Sequence, residues 1–149
     1  MTNEETISVL NDLIEVSKDG EREFQDCAED VTDPELLNFF TEKSQQCSRG
    51  AEMLQEQVRR LGGEPETEGS FAGAAHRMWV NLKSAITGAD KTAILKECER
   101  GEQYAVEAYE KALQEDLPPD IREMVEMQHH AVVANMERVH TLLQGQMQQ

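Results

Sequence analysis

Apolar residues recur every three or four positions in four separate stretches of the chain, each bounded by residues that start or stop a helix. In the first, about residues 4–31, the inner stripe reads Ile7, Leu10, Ile14, Ser17, Glu21, Phe24, Ala28 and Val31. Thr2 with Glu5 matches a capping box, and Gly20 leaves room for a neighbouring helix to come close. The second stretch, 34–61, carries Leu37, Phe40, Ser44, Cys47, Ala51, Leu54, Val58 and Leu61. Asp33 caps it, Pro34 suits its first position, and Gly62-Gly63 stops it. The third, 91–116, places Ile94, Cys98, Glu102, Ala105, Tyr109 and Ala112 or Leu113 inside and ends at Leu117-Pro118-Pro119. The fourth, 120–144, has the stripe Val125, His129, Val132, Met136, Val139 and Leu143, with Asp120 and Glu123 spaced as a second capping box.

Connection lengths decide the topology. The first and second helices, and the third and fourth, are joined so tightly that each pair must be an antiparallel hairpin. Between the hairpins lie almost thirty residues: a polar connector, GGEPETEG, then a shorter amphipathic helix at about 70–87 with Phe71, Ala75, Met78, Trp79, Leu82 and Ile86 on its apolar side. That length suits a crossover running back along the bundle. The expected fold is all-α, a single ferritin-like four-helix-bundle domain over 1–149, built of two antiparallel hairpins joined by a long crossover containing a short helix.

Charge narrows the function. Acidic residues number 30 against 14 basic ones, for a formal charge of -16. Such a surface repels phosphate backbones, so neither nucleic acid nor an anionic membrane is an expected partner, whereas cations would be concentrated around it. No apolar run approaches the roughly 20 residues of a membrane span, and the acidic start, MTNEETISVL, is unlike a secretion signal. A cytoplasmic protein is expected. Cys27, Cys47 and Cys98 lack paired spacing and read as buried free thiols. Neither a Gly-rich phosphate loop nor a nucleophile elbow occurs, which argues against nucleotide and hydrolase chemistry.

The segments VLNDLIEVSKDGEREFQDCAEDV, RRLGGEPETEGSFAGAAHRMWVNLKSAITG and ILKECERGEQYAVEAYEKAL followed by DLP together resemble a bacterial ferritin-like four-helix-bundle family of unassigned function. The resemblance covers nearly the whole chain. It implies a homodimer or larger homo-oligomer, and brings no settled activity. The wider ferritin-like group includes di-iron carboxylate proteins, with one Glu from each of two helices and a Glu-x-x-His from each of the other two. Carried over to this chain, the fourth-helix pair is Glu126 and His129, the third-helix carboxylate Glu102, and the first-helix one Glu21 or Glu15. The second helix departs from the pattern. Its nearest approach is Glu52-Met53-Leu54-Gln55, with glutamine where histidine belongs.

The candidate metal ligands are therefore Glu21, Glu52, Glu102, Glu126 and His129. Counted from the end where the first hairpin turns, they fall into two loose acidic layers. Buried carboxylates must be protonated, hydrogen-bonded, hydrated or bound to a cation. His76, His130 and His140 are read as surface, packing or helix-end residues. Because the ligand set is incomplete, the expected function is a non-enzymatic assembly or interaction module, acting through self-assembly or contacts with a protein partner. The alternative is a bundle binding iron, manganese or zinc, with an oxidoreductase or iron-handling role.

Overall fold

The computed structural model describes residues 1–69 and 91–147. They form four helices: α1 (Asn3–Asp30), α2 (Pro34–Arg60), α3 (Lys91–Leu113) and α4 (Pro119–Met147). No strand occurs among the described residues. The crossover helix expected at 70–87, with Phe71, His76 and Trp79, lies outside them.

Local chemistry accounts for the helix ends. The Thr2 hydroxyl accepts from the Glu5 backbone N–H at 3.1 Å and starts α1. The carboxylate of Asp33 accepts from the N–H groups of Glu35 and Leu36 at 2.9 and 3.3 Å and starts α2, with Pro34 at its first turn. The other Asp33 oxygen takes Lys91 Nζ at 2.8 Å, tying the start of α2 to the start of α3. At the far end of α2, Gly62 sits at φ 85°. Its N–H reaches Arg59 O and that of Gly63 reaches Val58 O, the paired bonds of a Schellman stop. Gly63 then leads into a connector held by Asn11, whose side chain bonds Glu64 O and the N–H of Glu66.

The α3–α4 turn differs from the expected one. α3 stops at Leu113, and α4 begins at Pro119, so Asp120 lies within the first turn instead of capping it. Proline is suited to that first position because its missing N–H would have had no partner there. Arg122 donates to Leu113 O and Glu115 O, satisfying carbonyls that the end of α3 leaves free.

The hairpins α1–α2 and α3–α4 lie side by side, α1 against α3 and α2 against α4. Two apolar clusters hold them. One gathers Phe24, Cys27, Leu36, Phe40, Leu95, Cys98 and Val139 at the end where α1 turns into α2. Within it, Phe24, Phe39 and Phe40 pack with ring centroids 5.5 to 6.3 Å apart. The other gathers Leu10, Ile14, Leu54, Val58, Tyr109, Ile121 and Val125 at the opposite end. Leu36 enters the first cluster at 3% exposure while Leu37, expected inside, is 41% exposed. Between the clusters the helices present polar and small residues. No helix among the described residues is long and apolar enough to cross a membrane.

Candidate functional site

In α1 the ridge Leu10, Ser17, Phe24 and Val31 is buried as expected, but Leu13 and Cys27 are deeper than Glu21 and Ala28. In α4 the equivalent line is Ile121, Val125, Gln128, Val132, Asn135 and Val139. Both lines alternate steps of three and four, the spacing by which helices of a left-handed bundle keep one seam facing inward. At mid-length the seams carry Ser17 and Gly20 from α1, Ser44 and Cys47 from α2, Glu102 and Ala105 from α3, and Gln128 and Asn135 from α4. Small side chains there cannot fill the space that leucines fill at the two ends. The result is a cavity of about 430 Å³, walled by Val16, Ser17, Gly20, Cys47, Gly50, Glu102, Ala105, Tyr109, Gln128, Ala131, Val132 and Asn135. Its exposed or half-buried lining residues on α1 and α3 include Arg22, Asp26, Glu97 and Arg100, so the cavity opens between those helices.

A hydrogen-bonded chain crosses the wall. Tyr109 donates its hydroxyl proton to Gln128 Oε1 at 2.8 Å and lies 3.4 Å from Ser17 Oγ, while Gln128 Nε2 donates to Gly50 O at 3.3 Å. Asn135 donates to Gln46 Oε1 at 3.4 Å. Burial pushes the Tyr109 phenol up to about 12, against a smaller opposing effect of Ser17, so this residue stays a neutral donor.

Two carboxyl groups reach the cavity without completing their hydrogen bonds. Glu102 is 6% exposed, and its Oε2 has no partner among the described residues. Glu23 is half-covered as a residue, yet its Oε1 is sealed from solvent and also lacks a partner. Its carboxyl lies over Gly101, at a point where any side chain on that residue would collide with it. Burial raises the Glu102 carboxyl to about 8, opposed by Lys43. Burial also raises Glu23 to about 8, reinforced by Glu97, Glu102 and Asp19 and opposed by Arg100. Both groups are protonated at neutral pH because a bare carboxylate in that setting lacks water and a counter-charge. The cations nearby are engaged elsewhere: Lys43 donates to Gln46, and Arg100 pairs with Glu97.

Of the expected metal ligands, Glu102 alone faces the cavity. Glu21 is half-buried and paired with Lys18 at 3.4 Å. Glu52 is exposed. Glu126 is exposed and 3.8 Å from Arg122. His129 lies off the inner seam, partly buried, with Nε2 3.9 Å from Glu110 Oε1. The five therefore do not converge, and among the described residues no three His, Cys, Asp or Glu side chains gather as a metal cluster. A di-iron centre, which takes carboxylates and histidines from all four helices, does not fit this arrangement. Sequence reasoning missed Glu23, Gln46, Gln128 and Asn135. Gln128 and Asn135 were signalled by Ile121, which puts the α4 seam one residue away from His129.

The cysteines are free thiols. Cys27 and Cys98 approach to 3.1 Å between sulfurs. Their mutual hydrogen bond, the largest single effect, lowers the Cys27 thiol, but burial and the nearby Glu23, Asp26 and Glu97 together outweigh it and the thiol ends above its ordinary value. That same bond and burial together raise Cys98 well above its own. Burial raises Cys47 too, so none of the three is poised as a thiolate.

Residues 5–115 match the family model described as a domain of unknown function, DUF2383, and the chain belongs to that family. No curated protein sequence matches it. Among solved structures, the chain is similar to a two-domain protein of Anabaena variabilis with DJ-1/ThiJ/PfpI-like and ferritin-like domains, at a TM-score of 0.79 and 14% identity. That match covers 99% of this chain and 38% of the other, so the chain spans well under half of that protein. A Dps1 mutant of Mycobacterium smegmatis aligns at a TM-score of 0.75 and 14% identity over 95% of this chain and 96% of the other. A ferritin-like, di-iron-carboxylate protein of Bacillus anthracis aligns at 0.74 and 20% identity, again over 95% and 96%. At these identities the similarity establishes the ferritin-like four-helix fold.

Proposed function

We propose that this DUF2383 member is a non-enzymatic binding bundle whose site is the mid-bundle cavity. The observation that supports it is the pairing of a space of about 430 Å³ with inward polar groups, at the level where the apolar packing stops. That volume lies within the range of small-molecule sites, roughly 300–1,000 Å³. A solvent-accessible hollow with fixed hydrogen-bonding groups suits a small guest of mixed apolar and polar character. The protein acts in the cytoplasm as a homodimer or larger homo-oligomer, or docked to a protein partner. Leu37, Met53 and Met127, exposed on α2 and α4, supply apolar surface for such contacts.

The test is calorimetric titration with n-butanol, a neutral probe small enough for the cavity. Saturable one-to-one binding to wild type, lost in an Ala131→Phe variant that keeps its helicity, is the expected result. Absence of saturable binding by any small probe would overturn the proposal.

A second reading, a site for iron, manganese or zinc, draws support from the orphaned oxygens of Glu102 and Glu23 and from the fold shared with the di-iron-carboxylate protein of Bacillus anthracis. Purification without chelator, followed by titration of each metal into wild type and Glu102→Ala, separates the two. Near-stoichiometric metal lost in the variant would favour the metal reading. Background binding in both favours the cavity as a host.

A further inference from the structure

We propose that the cavity's guest is a small organic cation, an ammonium group carried on a short hydrocarbon body, held between Glu23 of α1 and Glu102 of α3. The inference rests on the binding reading above and adds the chemical class of the guest.

Both residues line one cavity, and each carries a solvent-sealed carboxyl oxygen without a hydrogen-bond partner among the described residues. An unsatisfied buried acceptor is costly, and an N–H donor entering the cavity removes that cost. Once the pair ionises, as at pH 8.5, a charged donor removes it most effectively, because it also supplies the counter-charge that the carboxylates lack. The groups surrounding the pair leave that role open. Glu23 meets Glu97, Arg100, Glu102 and Asp19, three of the four acidic, with Arg100 paired to Glu97. Glu102 meets Lys43, which is bonded to Gln46 and stands over the Phe39 ring at 5.7 Å.

A bare divalent ion is a poorer match. It needs several oxygen ligands close together, and the described side chains form no such cluster. An anion is poorer still, facing two carboxyl groups and a chain of formal charge -16. The rest of the wall, Val16, Ala105, Ala131 and Val132, offers a hydrocarbon body apolar contact. Gln46 and Gln128, whose carbonyl oxygens already accept from Asn135 and Tyr109, hold the polar wall in place beside it.

The experiment is calorimetric titration of the full chain at pH 8.5 with n-butylammonium, n-butanol and butyrate, alongside Glu102→Gln and Glu23→Gln, with helicity measured for each. The proposal predicts that butylammonium binds wild type at least about tenfold more tightly than butanol, the size of one charged hydrogen bond. Butyrate binds worst. In either glutamine variant the preference for the cation collapses while butanol binding survives. Equal affinity for alcohol and ammonium, or a preference that survives both substitutions, would overturn this inference and leave the host reading standing. If neither probe binds, both fall.

Discussion

Replacing Glu102 by glutamine should stabilise the protein, and by an amount that grows with pH. In the unfolded chain this carboxyl ionises near 4.5, whereas in the folded state burial keeps its proton on until about 8. Between those values the folded state binds more protons than the unfolded state, so raising the pH favours unfolding. The penalty is absent at low pH, grows above about 4.5, and levels off above about 8. At about 1.4 kcal/mol per pH unit, the penalty reaches about 3 kcal/mol at pH 7. Glutamine copies the shape of the neutral acid and never ionises. Glu102 is also one of the groups holding Glu23 up, so part of that shift relaxes in the same direction. Urea unfolding followed by circular dichroism at pH 4, 5, 6, 7 and 8 gives the comparison. Glu102→Gln should match wild type near pH 4 and exceed it by about 3 kcal/mol at pH 7. A stability difference that stays constant across that range would refute the buried, protonated carboxyl.

Other substitutions address the frame around the site. Gly62→Ala should cost about 1–2 kcal/mol in urea unfolding because φ is 85° there; with nothing near its Cβ, Gly62→Asn should cost less, and equal costs would point to a steric cause. Phe40→Ala, at a fully buried ring stacked on Phe24, should lose about 3–5 kcal/mol; a loss below about 1 kcal/mol would mean that this end of the bundle is loosely packed. A thiol reagent should leave Cys27 and Cys98 unmodified in the native protein and titrate all 3 cysteines in denaturant, since both sulfurs are buried and protonated. Rapid native labelling of either residue would contradict that placement.

The helices and their order were legible because the stops are chemically explicit: Asp33-Pro34, Gly62-Gly63 and Pro118-Pro119 each admit few alternatives. Depth within a helix was harder. On α1 the ridge Leu10, Ser17, Phe24 and Val31 is shared by two flanks, one through Ile14 and Glu21, the other through Leu13, Gly20 and Cys27. Apolar pattern alone does not say which flank meets the bundle axis at mid-length. Gly20 does, since α2 brings Cys47 Sγ to 3.1 Å from where its Cβ would stand. The same ambiguity on α4 put His129 forward and hid Gln128 and Asn135. Glu102 was recoverable because both of its flanks are small or apolar. Glu23 was not, because its burial depends on Gly101 of another helix, a contact that spacing along one helix does not encode.

In the proposed function, the mid-bundle cavity is a host for a small guest and not a metal centre. A crystal structure of the protein purified without chelator, recorded with anomalous scattering at the iron, manganese and zinc edges, tests it most directly. The expected result is density for water or an organic molecule against Glu102 and Glu23, with no anomalous peak among their oxygens. A strong anomalous peak bridging those carboxylates would contradict it.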